Sequence, residues 1–347
     1  MSVSEPTKAA GTGGGDAPAT PRRRSAWDDR KEAITNSPAT PVYAALLGVF
    51  IIAWIVVTID GGTFLTVSNI VNMLQRSVAL GIVSAGQTVA ILAGSLDLSV
   101  AFLISLSSLV TAEVMDGSDA NIVPAVLAVL ALGVVVGLGN GLIITKLRVN
   151  AFIATLGTAL ILQGLIQNRY DGPAGSIGEG FEQLGYTRFG IIPASVFLLV
   201  AVVALVYFLL RWTRFGFRLY AVGGDEEVSR LSGVRTHRVI IAAHVVCSVC
   251  AAITGLFLAS RLGAGTPTVG TDGGYDLESI AAVVLGGTAL AGGRCGVLGT
   301  IGGVFILAVL DNTFNQLEVN AFLKDVVRGV IIIAAVAVYA RRSERRA

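Results

Sequence analysis

The chain has 347 residues, 54% of them hydrophobic and only 14% charged, with a mean hydropathy of +0.76. A soluble domain carries about 25% charge, so these polar groups cannot cover a globule, and lipid is the expected solvent for most of the surface. The net charge of +2 leaves no footprint for nucleic acid. Cys247, Cys250 and Cys295 have neither a second CxxC nor a histidine at zinc spacing, which excludes a zinc scaffold and makes them small apolar residues of helices.

Residues 1–38 are rich in Gly, Pro, Ala, Thr and charge, and read as a disordered cytoplasmic tail. They are no secretory signal peptide, because the first apolar run, near Pro41, is long enough to span. Spanning takes ~20 apolar residues. Ten candidate segments follow, at roughly 42–59, 69–93, 98–115, 121–145, 150–168, 191–210, 239–260, 276–291, 297–314 and 321–340. The fifth and eighth are short or interrupted. The reading is an all-α, polytopic membrane protein with a transmembrane domain over 39–342 and a basic tail at 343–347.

Charge orients it. With both termini cytoplasmic, 19 of the 25 basic residues fall inside, all but Arg76, Arg169, Arg188, Arg261, Lys324 and Arg328. That is the bias cytoplasmic loops carry, and it requires an even number of spans. The largest cytoplasmic loop is then about 211–238.

That loop holds "GGDEEVSRLSG", which has the grammar of one short helix. Asp225 can cap its first amides, Glu226 and Glu227 suit the positive end of the helix dipole, and Gly233 can take the left-handed position that ends it. Val228 and Leu231 share a face. A helix this short needs its flanks or a partner to persist, so the stretch is either a capped connector or a docking element.

Polar groups inside the apolar runs are the other candidates. Asp97, beside Gly94, Ser95 and Ser99, reads as the N-cap of the third segment and also as a pathway or gating residue at a helix break. Gln87, Ser99, Asn140, Thr155, Thr158 and Gln163 suit an uncharged, hydroxyl-rich solute, or equally hydrogen bonds between helices. Gly133, Gly137 and Gly141 form a small-xxx-small ridge for close packing, either within the subunit or across a dimer. The run Gly286–Gly296 reads as a helix break and tight turn. Asp276 and Glu278 suit the start of the eighth segment. His237 and His244 have no partners at metal spacing. No GxxxxGK[ST] is present, so ATP hydrolysis would need another chain. No nucleophile–base spacing or HExxH points to an enzyme.

Four stretches together resemble the permease subunit of bacterial ABC importers of the ribose/monosaccharide class. Gly224-Asp225-Glu226-Glu227-Val228-Ser229-Arg230-Leu231-Ser232-Gly233 is similar to the family's cytoplasmic Gly-Asn-Glu-Ala-Ala-x-x-Leu-Ser-Gly, with both alanines replaced. "AGSLDLSVA" (Ala93–Ala101), "RVNAFIATLG" (Arg148–Gly157) and "IAAVVLGGTALAGGRCGVLGT" (Ile280–Thr300) follow the family pattern in order. The resemblance implies a bacterial cytoplasmic-membrane importer of a sugar or related polar solute. It implies a cytoplasmic ATP-hydrolysing subunit, a second permease and an extracytoplasmic sugar-binding protein as partners, and no cofactor in this chain. It makes Asp225, Glu226, Glu227, Val228, Arg230, Leu231 and Gly233 the coupling helix. Gln87, Asp97, Ser99, Asn140 and Thr155 become candidates for the substrate path. The alternative is a proton- or sodium-coupled carrier, for which Asp97 and Asp311 would be the acids.

Overall fold

The computed structural model describes residues 40–320 together with 322–324, 326–327, 329–330 and 333. The tail at 1–38, most of the tenth predicted segment and the basic tail at 343–347 lie outside the described residues.

Each of the first nine predicted segments contains one main helix. These are α1 (Thr40–Ile59), α2 (Val67–Leu92), α3 (Val100–Met115), α4 (Ile122–Lys146), α5 (Ala151–Arg169), α7 (Ala194–Trp212), α10 (Thr236–Leu262), α12 (Tyr275–Leu285) and α13 (Val297–Gln316). The remaining helices are shorter: α6 (Glu179–Tyr186), α8 (Arg214–Gly224), α9 (Glu226–Leu231) and α11 (Val269–Asp272). Among the described residues, α1, α4, α5, α7, α10 and α13 are long and apolar enough to cross a membrane. The chain is an all-α polytopic membrane protein, decorated among the described residues by one hairpin that pairs Arg188–Phe189 with Ile192–Pro193.

The bundle is built around α10. Of its apolar stretch 67% is buried, against 17% for α1. The helix can therefore carry His244, Ser248, Thr254 and Ser260, all 0% exposed, where a lipid-facing helix could not. Helix α2 is enclosed likewise, with every residue from Ser77 to Leu92 buried. The predicted glycine ridge faces α10. A Cβ on Gly137 would meet Val245 Cα at 2.6 Å and His244 O at 2.7 Å, and one on Gly141 would meet Ile241 Cα at 2.6 Å. The ridge thus serves packing inside one subunit. On the other side of α10, Gly86 of α2 sits against Cys247 and Cys250, both free and buried, in the small apolar role expected of them.

One end of the bundle is closed by the segment between α5 and α7. The Asp119 carboxylate accepts from Gly180 N–H at 2.9 Å and so caps α6 from outside its own chain segment. Ser260 Oγ donates to Phe181 O at 2.8 Å and Tyr186 OH to Arg261 O at 2.7 Å, which ties this segment to the end of α10. The predicted eighth segment, 276–291, is a short helix: α12 ends at Leu285, ahead of the glycine-rich run.

Candidate functional site

The opposite end of the bundle carries α8 and α9. The stretch read as a loop is mostly helical. Thr213 caps α8 by accepting from Gly216 N–H at 3.3 Å, and Gly216, Leu219 and Val222 bury one face at a spacing of three. That cap and spacing were the signals available in the sequence.

Helix α9 has the expected grammar. Asp225 Oδ1 accepts from Val228 N–H at 2.9 Å. Gly233 lies at φ +83°. Its N–H donates to Arg230 O at 3.0 Å while Val234 N–H donates to Ser229 O at 3.0 Å, a Schellman closure. Ser229 is the buried residue of the helix. Asp225, Glu226, Glu227, Arg230 and Gly233 are exposed, and Arg230 pairs with Glu227 at 2.6 Å on the surface. Val228 is 58% and Leu231 78% exposed, so a capped six-residue helix presents two apolar side chains between charged neighbours.

A junction built from glycines connects this element to the interior. At the end of α8, a Cβ on Gly223 would fall 1.8 Å from Leu92 O and 2.7 Å from Gly293 N. Gly293 N–H donates to Leu92 O at 3.1 Å. Gly292 and Gly293 lie at φ +91° and +70°, a region that favours glycine. Three backbones therefore touch here: the end of α2, the end of α8 and the turn after α12. Tyr220 OH donates to Cys295 O at 2.6 Å and holds that turn from the α8 side. Burial raises the Tyr220 phenol above its usual range, so it stays a donor through neutral pH.

Immediately beyond Leu92 the chain breaks from helix at 93–99. Non-helical backbone buried in a bundle survives only where protein satisfies it, and a polar node does so here. Asp97 Oδ1 accepts from Ser99 N–H at 3.0 Å. The cap position of α3 is Ser99 itself, so Asp97 works from two residues upstream of it, a correction to its reading as the N-cap. Asp97 Oδ2 lies 3.3 Å from His244 Nδ1, and His244 Nε2 lies 2.7 Å from Ser95 Oγ. Asn140 Nδ2 donates to Ser99 Oγ at 3.0 Å, and Asn140 Oδ1 accepts from Thr158 Oγ1 at 2.6 Å. Thr155 Oγ1 donates to Leu96 O at 3.3 Å. With its amide oxygen and nitrogen assigned so that both have partners, Gln87 spans the backbone of Asp97, accepting from its N–H at 3.2 Å and donating to its C=O at 3.3 Å.

Gln87, Asp97, Ser99, Asn140 and Thr155 are thus brought together, and all are 0% exposed. Gln163 is not part of the node. Ser95 and His244 are, and sequence spacing could not place them there, because the contact crosses 147 residues. Serine, histidine and aspartate stand in the order of a hydrolytic triad. Asp97 and His244 are 0% and Ser95 5% exposed, so the three form a hydrogen-bonded chain enclosed within the protein.

Residues 69–336 match the family described as branched-chain amino acid transport system / permease component. The chain belongs to this permease family. Among its relatives, the ribose import permease protein of Escherichia coli K12 is 37% identical over 301 residues, covering 85% of this chain and 92% of the relative. The ribose import permease protein of Bacillus subtilis 168 is 39% identical, covering 86% and 92%. The L-arabinose transport system permease protein of Escherichia coli K12 is 37% identical, covering 84% and 88%. No solved structure matches the permease. The permease is a multi-pass membrane protein.

Proposed function

We propose that this permease is the transmembrane subunit of an ATP-driven, binding-protein-dependent importer of a monosaccharide or related polar solute in the bacterial cytoplasmic membrane. The observation that carries the reading is α9: a capped helix with Val228 and Leu231 exposed, in a chain whose relatives are named ribose and arabinose permeases. The family description names branched-chain amino acids, but these relatives cover most of the chain and are named for sugars, so sugar is the preferred cargo. Those names give no support to a proton- or sodium-coupled carrier.

In this reading the chain has ten membrane segments, with both termini cytoplasmic. Helix α9 docks on a cytoplasmic ATP-hydrolysing subunit through Asp225, Glu226, Glu227, Val228, Arg230, Leu231 and Gly233. The end bearing α9 also carries Lys146, Arg148, Arg211 and Arg214, which suits the cytoplasmic face. Closure of the motor moves α8, and the glycine junction passes the displacement to the break at 93–99. Gln87, Asp97, Ser99, Asn140 and Thr155 take part as the pivot behind the path, since each is enclosed within one subunit. A second permease copy or paralogue completes the path, and an extracytoplasmic sugar-binding protein delivers to it.

The test is reconstitution with a cytoplasmic ATPase subunit and a sugar-binding protein of the same importer class. Leu231→Asp should leave the permease monodisperse in detergent but abolish co-purification of the ATPase and sugar uptake. A Leu231→Asp permease that retains the ATPase and transports normally overturns the assignment of α9.

A further inference from the structure

Two cavities of similar size lie against α2, and their linings differ in kind. One, of about 450 Å³, is walled by apolar and aromatic side chains of α1, α2 and α13, such as Leu46, Phe50 and Phe305. It offers almost nothing to a polar solute. The other, of about 470 Å³, is a half-open cleft among α2, α10, α11, α12 and α13, and Arg76, Arg261, Asp272, Glu278, Asp311 and Asn312 line it. Its size falls in the ~300–1,000 Å³ range of small-molecule sites.

The position of this cavity follows from α2. Arg76 precedes Leu92 by sixteen residues, which at 1.5 Å per residue sets the cavity about 24 Å from the glycine junction, toward the other end of the bundle. If α9 is cytoplasmic, this cavity belongs to the extracytoplasmic half. Five ionisable groups line it; Arg76 and Asp272 are exposed and Arg261, Glu278 and Asp311 half-buried, so it is a polar cleft reachable from the surface.

We propose that this cavity is where a neutral monosaccharide is held on the extracytoplasmic side of the permease. The proposal rests on the sugar-importer reading and adds to it a location and a set of contacts. A sugar hydroxyl both donates and accepts. Carboxylates of Asp272, Glu278 and Asp311 can accept hydrogen bonds from its O–H groups, guanidiniums of Arg76 and Arg261 can donate to its oxygens, and the Asn312 amide can do either. A neutral polyol uses both sets of groups, whereas an anionic solute would face three carboxylates. The site is distinct from the pivot around Asp97, none of whose residues lines it.

The experiment compares wild type with Asp272→Asn, Glu278→Gln and Ala308→Phe. Each is assembled with the ATPase and binding protein in proteoliposomes, and sugar taken up per ATP hydrolysed is measured with ribose, arabinose, galactose and leucine. Ala308 also lines the cavity, and its replacement fills space without removing a charge, so it stands even if a charge variant fails to fold. The expected result is that Asp272→Asn and Glu278→Gln each lower sugar uptake per ATP by roughly ten-fold, the loss of one hydrogen bond to a charged group, and reorder the three sugars, while Ala308→Phe lowers uptake of all three by occupying the space. Monodisperse variants that keep both the wild-type ratio and the wild-type order overturn the cavity as the site. The underlying reading fails separately: the wild-type complex would then take up none of the sugars, or leucine in their place.

Discussion

Asp97 and His244 are 147 residues apart in the chain and 3.3 Å apart in space, at the centre of a node that also engages α4 and α5. A carboxylate without partners at this depth would be costly. Here Ser99, Asn140 and His244 surround it, and the break between α2 and α3 becomes a fixed feature rather than a weak point.

Removing the carboxylate alone should therefore be severe. Asp97→Ala leaves His244, Asn140 and the Ser99 amide without their acceptor, and breaking a buried pair from one side costs about 3–5 kcal/mol. Asp97→Asn, which keeps one oxygen for Ser99, should cost less. Thermal melting of the purified permease in detergent measures both. An Asp97→Ala protein that melts with wild type would show that the node is not a lock.

Two glycines of α4, one turn-half apart, should behave in opposite ways. A Cβ on Gly137 meets backbone of α10 at 2.6 Å, whereas one on Gly139 meets nothing within 4 Å. Gly137→Ala should destabilise by about 1–3 kcal/mol through overpacking. Gly139→Ala should be neutral or stabilising by up to about 1 kcal/mol, the helix-propensity gain. Equal melting temperatures for the two variants would contradict the packing of α4 on α10.

The glycine junction should be a coupling element. Gly223→Ala puts a methyl where Leu92 O lies 1.8 Å away, so α8 must separate from α2. In the reconstituted complex this should leave ATP hydrolysis running with little sugar uptake. Tyr220→Phe, which removes one hydrogen bond to Cys295 O, should shift the uptake-to-ATP ratio in the same direction but less. Full coupling in Gly223→Ala would show that motion takes another route.

Helix α9 should be held by its cap and reachable from one side only. Asp225→Ala removes the bond to Val228 N–H and should cost about 1 kcal/mol of local helix stability, read as faster amide exchange at residues 227–229. A cysteine at the exposed Ser232 should react with a membrane-impermeant maleimide in inside-out vesicles and not in right-side-out ones. Labelling from the outside would invert the orientation.

The helices were legible because lipid demands long apolar runs, and α1, α7 and α13 are such runs. So was α9, because Asp225 and Gly233 carry local capping chemistry that needs no distant partner. Helix α8 was missed because Arg214 and Arg218 mask an apolar face only three residues in extent, Leu219 and Val222 with Gly216. The polar residues of the node could be picked out one by one as anomalies in apolar runs. Their assembly could not, since Ser95 and His244 meet through a packing of α2 on α10 that depends on Gly86 and on the width of two cysteines. The charged cavity was hidden for the same reason: Arg76, Arg261 and Asp311 sit on three helices, and alone the two arginines read as side chains near helix ends and Asp311 as a carrier acid.

The central place of α10 has a consequence for biogenesis. A nascent chain delivers α2 to α5 to the membrane well before residue 244 leaves the ribosome. Until then the Asp97 carboxylate lacks its imidazole, and the glycine face of α4 has nothing to close upon. The early helices must wait, shielded by insertion machinery or by one another, for a late-synthesised helix to complete their interior. Truncation upstream of α10 should therefore yield an inserted but quality-control-sensitive fragment rather than a smaller version of the same protein.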